Sequence, residues 1–487
     1  MADVHLKYIN SVHVKVIAEP SIIMEMSDHF TYFADNYKFH PKYKSRMWDG
    51  KIRLLNGLSA TIYAGLAQRI KKFCDARDYT LSFDDELVYN EVSEHELRQH
   101  IKSLNIPPKY EERDYQFESI IKCLRAGRRT LLSPTSSGKS MMIYIISQWY
   151  KKHKGLIIVP TIGLVTQMES DFRDYGYTGK IHTSIGGLLK SNDIDADIVI
   201  TTWQSLNNGK SKMPKQWYQQ FGYVFGDEAH GCKATSLIQI LSSLENCRYR
   251  FGTTGTLDGQ PLNEATIEGL FGPKYRAIST RELMDQGYVA KLKIKCIVLK
   301  YPDEVAKEVR GKSYDEEIKY LVSSSSRNKF IKNLALSLKG NKLVFFRIVD
   351  HGNELYRLIS ADSDHNVFYI DGGVSGDKRE EIRKAIEDEH NATLIASLGT
   401  TSTGVSINKL HHMIAASPSK SKIKVLQSIG RMLRMHKDKE EAILYDIVDD
   451  MSYKSHQNFT LKHFLERCKI YDAERFDYEI YNVRLKV

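Results

Sequence analysis

The sequence predicts an α/β protein in which two parallel-sheet domains follow one another along the chain. From about residue 130, short aliphatic runs that end in polar turns alternate with helical patterns, as in RTLLSP, KGLIIVPT, ADIVITTW and GYVFGDEA. The same alternation returns after residue 290 in NKLVFFRI, HNVFYIDG, ATLIASLG, LHHMIAAS and AILYDIVD. Because buried strands that alternate with helices form parallel sheets, each region is expected to be one such domain.

The chain outside these two regions has a different character. The segment before them is aromatic and basic and lacks the alternation, which predicts a small α+β domain. The tail from about Met451 predicts an amphipathic helix with a short extended end. The expected division is an accessory domain at 1–100, the two α/β domains at 101–280 and 281–450, and a helical extension at 451–487.

The composition favours an intracellular protein with a polyanionic partner. The 487 residues carry a net charge of +10 and a pI near 9.0, which suggests nucleic acid. The six cysteines lie far apart without a C-x-x-C pair, which fits free thiols in a reducing compartment better than disulfides or a zinc site. We see neither a signal peptide nor a run long enough to span a membrane, so a cytoplasmic location is expected.

Residues 37–55, YKFHPKYKSRMWDGKIRLL, interleave basic and aromatic side chains. Basic groups neutralise phosphates and aromatic rings stack on exposed bases, so this segment is a candidate nucleic-acid surface. Its candidate contact residues are Trp48, Lys51 and Arg53. The alternative is an ordinary small domain whose aromatic residues form its own core.

The stretch LLSPTSSGKSMMIYII, residues 131–146, joins a predicted strand to a predicted helix, as a phosphate-binding loop does. The general pattern for such loops places glycine where this chain has Ser133. Lys139 would contact the β- and γ-phosphates of ATP, and the Ser140 hydroxyl would bind Mg²⁺. The alternative is a strand-to-helix turn rich in small residues. The backbone N–H groups expected to hold phosphate oxygens belong to Thr135, Ser136, Ser137 and Gly138.

Two adjacent carboxylates, Asp227 and Glu228, follow another predicted strand in GYVFGDEAH. Asp227 would bind Mg²⁺, while Glu228 would orient and deprotonate the attacking water. The alternative is that Asp227 only caps the following helix. The lysine loop upstream favours the catalytic interpretation.

The order of these motifs resembles that of the superfamily-2 helicases and translocases, whose second motif is D-E-x-H. The resemblance covers roughly residues 105–450 and implies two RecA-like motor domains. It implies that Arg113 and Gln116 bind adenine. The residues that it places on the nucleic-acid backbone are Thr161, Gly186, Gly187, Thr202 and Thr401. The residues that it assigns to coupling are His230, Thr254, Thr256 and Gln427.

The phosphate loop departs from this family at one position. Members often have P-T-G-x-G-K-[ST], so Pro134 and Thr135 fit the pattern, and Ser136 stands where glycine is usual. Serine can adopt the turn at some cost, because glycine's freedom at positive φ is lost. We expect the site to bind and hydrolyse ATP.

The second α/β region carries the remaining motifs of the family. Gly404, in STGVSI, is expected at the nucleotide. Arg431 and Arg434, in QSIGRMLR, resemble the arginine fingers, and a spacing of three would place both on one face of a helix. Such planar cations would stabilise charge on the γ-phosphate. The alternative is a solvated basic helix.

The pattern F-x-P-x-[FY]-x-x-x-x-WDG-[KR]-[IV]-R-L near the N-terminus is similar to that of the UvsW family, the recombination and repair helicases of large tailed phages. The block KSKI-x-VLQ-x-I-G-R-x-L-R strengthens the resemblance, although here the second motif is a plain D-E-A-H. The resemblance implies an ATP- and Mg²⁺-dependent DNA helicase, and we expect a monomeric motor. Its expected substrates are forks, Holliday junctions and R-loops, including RNA–DNA hybrids.

Two other functions fit the same motifs. A duplex DNA translocase would use them without separating strands, and the sequence contains no segment that we can identify as a strand-splitting pin. A nucleic-acid binding or annealing protein would use ATP only as a switch. The complete set of catalytic residues favours a hydrolase over this second alternative.

Overall fold

The computed structural model describes residues 2–89, 91–184, 195–207, 212–232, 234–403, 407–417, 421–436 and 439–486. The chain forms two compact units. The first contains residues 1–133 and 138–277, and the second contains residues 278–487 together with the loop residues 134–137.

The N-terminal part of the first unit is a small α+β fold around its own apolar core. Strands β1, β2, β5 and β6 form a sheet in the order β5-β2-β1-β6, in which only the β1–β6 pair is parallel, and β3 pairs with β4 in a separate hairpin. Val4, Leu6, Val14 and Val16 alternate along β1 and β2 and pack against Phe73, because the period of a strand is two residues. The strands are Val4–Tyr8, His13–Ala18, Thr31–Phe33, Lys51–Arg53, Thr61–Tyr63 and Leu81–Phe83 (β1–β6). The helices are Pro20–His29, Pro41–Lys44 and Ala67–Asp75 (α1–α3). Helix Glu94–Ser103 (α4) follows and packs through Leu97 and Ile101 on the core of the sheet domain.

The rest of the first unit is a seven-stranded parallel sheet in the order β13-β7-β12-β11-β8-β10-β9, with helices on both faces. Its strands β8 and β10 are buried throughout, which explains their continuous aliphatic sequences. The strands are Arg128–Leu132, Gly155–Val159, Ile181–Ser184, Ile198–Thr202, Tyr223–Asp227, Tyr249–Thr254 and Lys274–Arg276 (β7–β13). The helices are Asp114–Ala126, Lys139–Trp149, Ile162–Asp174, Trp203–Leu206, Lys215–Tyr218, Thr235–Ser243 and Pro261–Phe271 (α5–α11).

The small N-terminal fold packs directly on this sheet domain through α11. Arg69 makes two hydrogen bonds of 2.8 Å to the Glu268 carboxylate, and Glu268 is almost fully buried. A Cβ atom at Gly65 would lie 2.1 Å from the carbonyl oxygen of Glu268, so the two backbones touch where a side chain has no room. The accessory fold is therefore part of one compact unit with the first sheet domain.

The second unit contains another seven-stranded parallel sheet, in the order β16-β17-β15-β18-β19-β14-β20. The prediction of two parallel-sheet domains is confirmed. The strands are Lys291–Lys300, Lys342–Phe346, Val367–Ile370, Thr393–Ser397, His412–Ala415, Glu441–Asp450 and Tyr478–Arg484 (β14–β20). The helices are Thr280–Asp285, Asp303–Val309, Tyr314–Ser323, Ser325–Ser337, Val349–Asp362, Gly376–Asp388, Leu398–Thr403, Lys422–Met432 and Phe459–Ala473 (α12–α20).

The C-terminal extension is built into the second unit. Its extended end is β20, which pairs in parallel with β14 at the edge of the sheet. The buried Glu317 carboxylate accepts hydrogen bonds of 2.8 Å from the backbone N–H groups of Phe459 and Thr460, and so caps the start of α20. The expected helix is present, and its packing on the sheet is a tertiary feature that the helical pattern alone does not indicate.

Within the described residues, no helix combines the length and the apolar character needed to cross a membrane.

Candidate active site

The predicted phosphate loop connects β7 to α6 at the carboxyl edge of the first sheet. The Ser133 N–H donates to the Thr254 carbonyl at 2.9 Å, and the Lys139 ammonium donates to the Ser133 carbonyl at 3.2 Å. Gly138 precedes the helix with φ +75°, and a Cβ atom there would lie 2.3 Å from Nε2 of Gln116. The backbone conformation therefore favours glycine at this position, and a larger residue would also displace the Gln116 amide.

Ser136 adopts the left-handed conformation that glycine favours. Its φ of +69° lies in the region where a Cβ atom crowds the backbone, at a cost of roughly 1–2 kcal/mol for a non-glycine residue. Next to it, the hydroxyl of Ser137 donates to the Pro134 carbonyl at 2.6 Å and closes the turn. The loop thus keeps the conformation of a glycine-containing turn although serine occupies the position.

Gln116 lies against the loop at the start of α5. Its Oε1 accepts a hydrogen bond of 2.9 Å from the Arg113 N–H, which fixes the amide at the beginning of the helix. The Arg113 guanidinium donates to the Tyr115 hydroxyl at 3.1 Å. The two residues predicted to bind adenine therefore lie together, with Gln116 beside Gly138.

Asp227 and Glu228 lie at the carboxyl end of β11, two strands from β7. The Thr253 hydroxyl donates to Asp227 Oδ1 at 2.6 Å. Burial and the neighbouring Glu228 carboxylate raise the pKa of Asp227, while the Lys139 ammonium acts in the opposite direction. Lys139 and Asp227 are thus electrostatically coupled, and the sheet brings the predicted lysine and carboxylates into one site.

Glu228 has a strained backbone. Its φ of +52° and ψ of +51° place it in the left-handed region, which is uncommon for a residue that is not glycine. Strain of this kind is concentrated at functional sites, where the surrounding structure holds it. The turn sends the Glu228 side chain back towards His230, whose Nδ1 lies 3.2 Å from Glu228 Oε2.

His230 connects the carboxylate motif to the predicted coupling motif. Its Nδ1 lies 3.0 Å from the Thr254 hydroxyl oxygen, and that hydroxyl donates to the Thr256 carbonyl at 3.0 Å. Because the hydroxyl proton is used in this way, the oxygen accepts from His230, and Nδ1 carries the proton. The arrangement links Glu228, His230 and Thr254 in one chain of polar contacts.

Ser140 and Asp227 have the donor atoms that suit Mg²⁺, a hydroxyl and a carboxylate oxygen. In this structure the Ser140 hydroxyl lies 3.0 Å from the Tyr175 hydroxyl. Burial raises the pKa of Tyr175 to about 12, so its hydroxyl stays protonated near neutral pH. Burial and the adjacent Glu228 carboxylate raise the pKa of Asp227, and a bound divalent cation would favour the ionised form of this carboxylate.

Two residues at the site received no individual role from the sequence. Thr253 is the first residue of the T-T-G-T motif, and this position could have indicated that it contacts the site. Tyr175 lies just beyond the end of α7, where no local pattern points to Ser140. Its contact depends on the packing of α7 against α6.

The predicted finger arginines lie at the end of α19 in the second unit. The helix ends at Met432, so Arg434 lies beyond it, and the expectation that one helical face carries both arginines is corrected. The Lys439 ammonium donates to the Met432 carbonyl at 2.9 Å. In a longer helix this carbonyl would accept a hydrogen bond from a backbone N–H group instead. Burial, with the nearby Arg434 charge, lowers the pKa of Lys439 to about 8.

Gln427, predicted to take part in coupling, lies within α19 and is half-buried.

The nucleic-acid residues predicted in the sheet domains have different surroundings. Thr161 precedes α7 and is half-buried. Thr202 is buried, and its hydroxyl accepts from the Ser205 N–H at 3.4 Å, so its side chain caps α8. Gly186, Gly187 and Gly404 lie outside the described residues, as does the side chain of Thr401 in α18.

The basic and aromatic segment of the accessory fold forms the β3–β4 hairpin and the short helices between its strands. The Trp48 indole donates to the Lys51 carbonyl at 3.0 Å, and Arg53 forms a 2.6 Å ion pair with Asp49. Phe39 and Met47 are about three-quarters exposed, at 74% and 75%.

The aromatic rings of this segment divide between two roles. Tyr37 and Tyr43 pack edge to face at 4.9 Å, beside Gly50, and this pair fits the alternative of a local core. The exposed Phe39 does not take part in such a core. The hairpin therefore presents apolar and basic side chains to solvent.

Three sequence families match consecutive parts of the chain. The family described as "DNA helicase UvsW, N-terminal" matches residues 3–84, "Type III restriction enzyme, res subunit" matches residues 109–259, and "Helicase conserved C-terminal domain" matches residues 326–436.

Individual proteins are also similar to this chain over most of their length. The ATP-dependent DNA helicase uvsW of Enterobacteria phage T4 is 36% identical, with 99% of this chain and 100% of that protein covered. The crystal structure of T4 UvsW superposes with a TM-score of 0.51 at 34% identity, again over 99% and 100% of the two chains. The DNA 3'-5' translocase XPB2 of Sulfurisphaera tokodaii is 25% identical, with 77% of this chain and 89% of that protein covered.

Proposed function

The chain belongs to the UvsW family of DNA helicases, and we propose that it uses ATP hydrolysis to unwind branched DNA such as forks, Holliday junctions and R-loops. The observation that carries this proposal is the assembly at the carboxyl edge of the first sheet. There the charge of Lys139, in the phosphate loop, favours the ionised form of the Asp227 carboxylate. His230 contacts both Glu228 and Thr254.

The residues of the first unit divide the chemistry among them. Lys139 and the loop N–H groups would bind the phosphates, with Gln116 and Arg113 at the adenine. Ser140 and Asp227 would hold Mg²⁺, which neutralises charge on the phosphates when it is bound. Glu228 would orient the attacking water and accept its proton. The finger role of Arg431 and Arg434 belongs to the same proposal.

The link from Glu228 through His230 to Thr254 suggests how DNA binding changes the rate of hydrolysis. A shift of the T-T-G-T segment would move the His230 imidazole, which lies beside the Glu228 carboxylate. This would change the orientation of Glu228, the proposed general base. Thr161, Thr202 and Thr401, with Gly186 and Gly187, are the proposed backbone contacts of the motor. Contacts of this kind give binding that tolerates any base sequence.

The hairpin of the accessory fold is the proposed grip on the duplex or branch point. Trp48, Lys51 and Arg53 belong to it, in the same segment as the exposed Phe39 and Met47. Basic groups would contact phosphates, and the exposed apolar groups would contact unpaired bases. If the chain is phage-encoded, its place of action would be the host cytoplasm, with a monomer as the proposed working form.

Steady-state ATP hydrolysis tests the proposal, measured without nucleic acid and with single strands, plain duplex and a four-way junction. We expect the junction to stimulate hydrolysis most, and Lys139→Ala to abolish turnover while DNA binding remains. Hydrolysis that persists in Lys139→Ala would contradict the site assignment. Rates that ignore every nucleic acid would contradict the proposed motor.

A duplex translocase remains the second candidate, because a relative with 25% identity is named a DNA 3'-5' translocase. A strand-displacement assay on the junction that stimulates hydrolysis distinguishes the two. Strand release would establish a helicase, and displacement of a third strand from a triplex without strand release would establish a translocase.

A further inference from the structure

A cavity of about 120 Å³ opens in the second unit, at the carboxyl ends of β15 and β18. Arg347 and Ile348 follow β15 directly, and Ala416 and Ser417 follow β18. The two strands are paired in parallel, so these four residues lie at the same edge of the sheet. None of the motif residues considered above lines this cavity.

The position of the cavity is one where parallel sheets bind ligands. Strands β16 and β17 lie on one side of β15, whereas β18 and β19 lie on the other. The order of the strands therefore reverses between β15 and β18, and the loops that leave their carboxyl ends diverge. In open α/β sheets, ligands bind in the crevice at this kind of reversal.

The lining combines apolar walls with a polar mouth. The Arg347 guanidinium donates to the Tyr314 hydroxyl at 3.1 Å, and the Arg347 N–H donates to the Ser417 hydroxyl oxygen at 3.1 Å. These contacts hold a cation and an aromatic ring beside the opening. The apolar lining residues are Ile318, Leu321, Val322, Ile348 and Ala416.

Arg327 lines the cavity and has one buried donor atom without a partner among the described residues. Arg327 is fully buried, with Nε and Nη2 bound to the Asp449 carboxylate and Nη2 also donating to the Ala416 carbonyl. Its Nη1 has no hydrogen-bond partner among the residues that the structure describes. A buried N–H group without an acceptor is costly, so a ligand acceptor at this point would gain a strong, charge-assisted hydrogen bond.

We propose that this cavity receives one unstacked base of the bound nucleic-acid strand, with an acceptor on the base taking the hydrogen bond from Arg327 Nη1. Apolar walls suit the faces of a planar base, and the ring of Tyr314 at the mouth can stack on a base. A phosphate is the poorer fit, because most of the lining cannot replace its hydration.

The proposed site would tolerate any base sequence. Every nucleobase has a carbonyl oxygen or a ring nitrogen that can accept one hydrogen bond, so one donor does not select among bases. The net charge of +10 favours a nucleic acid over an acidic peptide as the source of the ligand. This inference rests on the proposed function, because it assigns the cavity to the strand on which the motor acts.

The test compares an oligothymidylate with an abasic oligonucleotide of equal length, which keeps the phosphates and lacks the bases. Fluorescence anisotropy at one salt concentration gives both dissociation constants for the full chain. We expect wild-type protein to bind the oligothymidylate about 5- to 150-fold more tightly, the range of one stacked base. Ile318→Trp, which fills the cavity from α14, should remove this preference and keep the abasic affinity.

The matched control is Ser323→Trp, an exposed position on the same helix outside the cavity, which should keep the preference. An unchanged preference in Ile318→Trp, or equal wild-type affinity for both oligonucleotides, would overturn the assignment. If Ile318→Trp does not fold, crosslinking of 4-thiothymidine to wild-type protein decides, since attachment at Tyr314 supports the site and attachment only elsewhere overturns it. Junction-stimulated hydrolysis without any base preference would contradict the cavity assignment alone and leave the motor intact.

Discussion

Asp446 and Asp449 of the second sheet can be compared with Asp227 and Glu228 of the first, because all four are acidic residues in or directly after buried strands. In the second sheet each carboxylate has an arginine of its own. Arg467 binds Asp446 at 2.8 and 2.9 Å, and Arg327 binds Asp449 at 2.8 and 3.1 Å. Tyrosine hydroxyls complete both pairs, from Tyr471 and Tyr301.

In the first sheet the two carboxylates are adjacent in the chain, and the Lys139 ammonium acts on Asp227. One of them, Glu228, also has a strained backbone. The acidic groups of the second sheet are thus each held by an arginine, whereas in the first sheet burial and the adjacent Glu228 carboxylate raise the pKa of Asp227. A buried acid whose pKa is raised beside a second carboxylate is a candidate reaction site, whereas one paired with its own arginine holds the fold.

The largest expected effect tests the first half of this comparison. Asp227→Asn removes one of two adjacent negative charges, so we expect turnover to fall by at least about 10²-fold, while stability is kept or slightly increased. ATP hydrolysis and the thermal unfolding midpoint, both measured on the same preparation, check this. A fall in the midpoint comparable to that of a core mutation would show that Asp227 is structural.

The same substitution in the second sheet should have the opposite effect. Asp449→Asn leaves the buried Arg327 without its counter-charge, which should lower the free energy of unfolding by about 3–5 kcal/mol. Urea denaturation followed by fluorescence measures the loss. Retained stability would contradict the view that this pair holds the fold, and the exposed Asp315→Asn on α14 serves as the matched control.

A smaller effect is expected at the link between the two motifs of the first site. Thr254→Val keeps the side-chain shape and removes the hydroxyl that contacts His230 and Thr256. Loss of such hydrogen bonds should reduce DNA-stimulated hydrolysis by about 5- to 30-fold. Hydrolysis with and without junction DNA, together with fluorescent-nucleotide binding, checks it. An equal loss of nucleotide affinity would indicate damage to the site instead of uncoupling.

The smallest effect sharpens the comparison at the strained loop. Ser136→Gly and Ser136→Ala both lose the 3.1 Å hydrogen bond from the Ser136 hydroxyl to the Gly430 carbonyl, and only glycine relieves the positive-φ strain. After the entropy cost of glycine, we therefore expect Ser136→Gly to be more stable than Ser136→Ala by about 0.5–1 kcal/mol. The thermal unfolding midpoints of the two variants check it, and a lower midpoint for Ser136→Gly than for Ser136→Ala would show that Ser136 is not strained.

Local patterns were sufficient for much of the first site. The loop before α6 follows from Gly138, Lys139 and Ser140 after an aliphatic strand, and the D-E-A-H turn follows from two carboxylates at the end of another. The departure at Ser136 was visible in the sequence, and the structure shows its conformational consequence. The end of α19 before Arg434 was not predicted. The Met432 carbonyl accepts a hydrogen bond from the side chain of Lys439, which lies after the helix, and the local pattern does not indicate this contact.

The sequence by itself determined the two parallel sheets, the phosphate loop and the paired carboxylates, because strand burial and helix periodicity act over a few neighbouring residues. Only the tertiary structure decided which distant groups meet. Arg69 pairs with Glu268 across 199 residues, and Arg327 pairs with Asp449 across 122. Such contacts leave no periodic signal in either segment, since each charged residue alone has the pattern of an ordinary surface position. The cavity at β15 and β18 exists for the same reason, because its walls come from three separate parts of the chain.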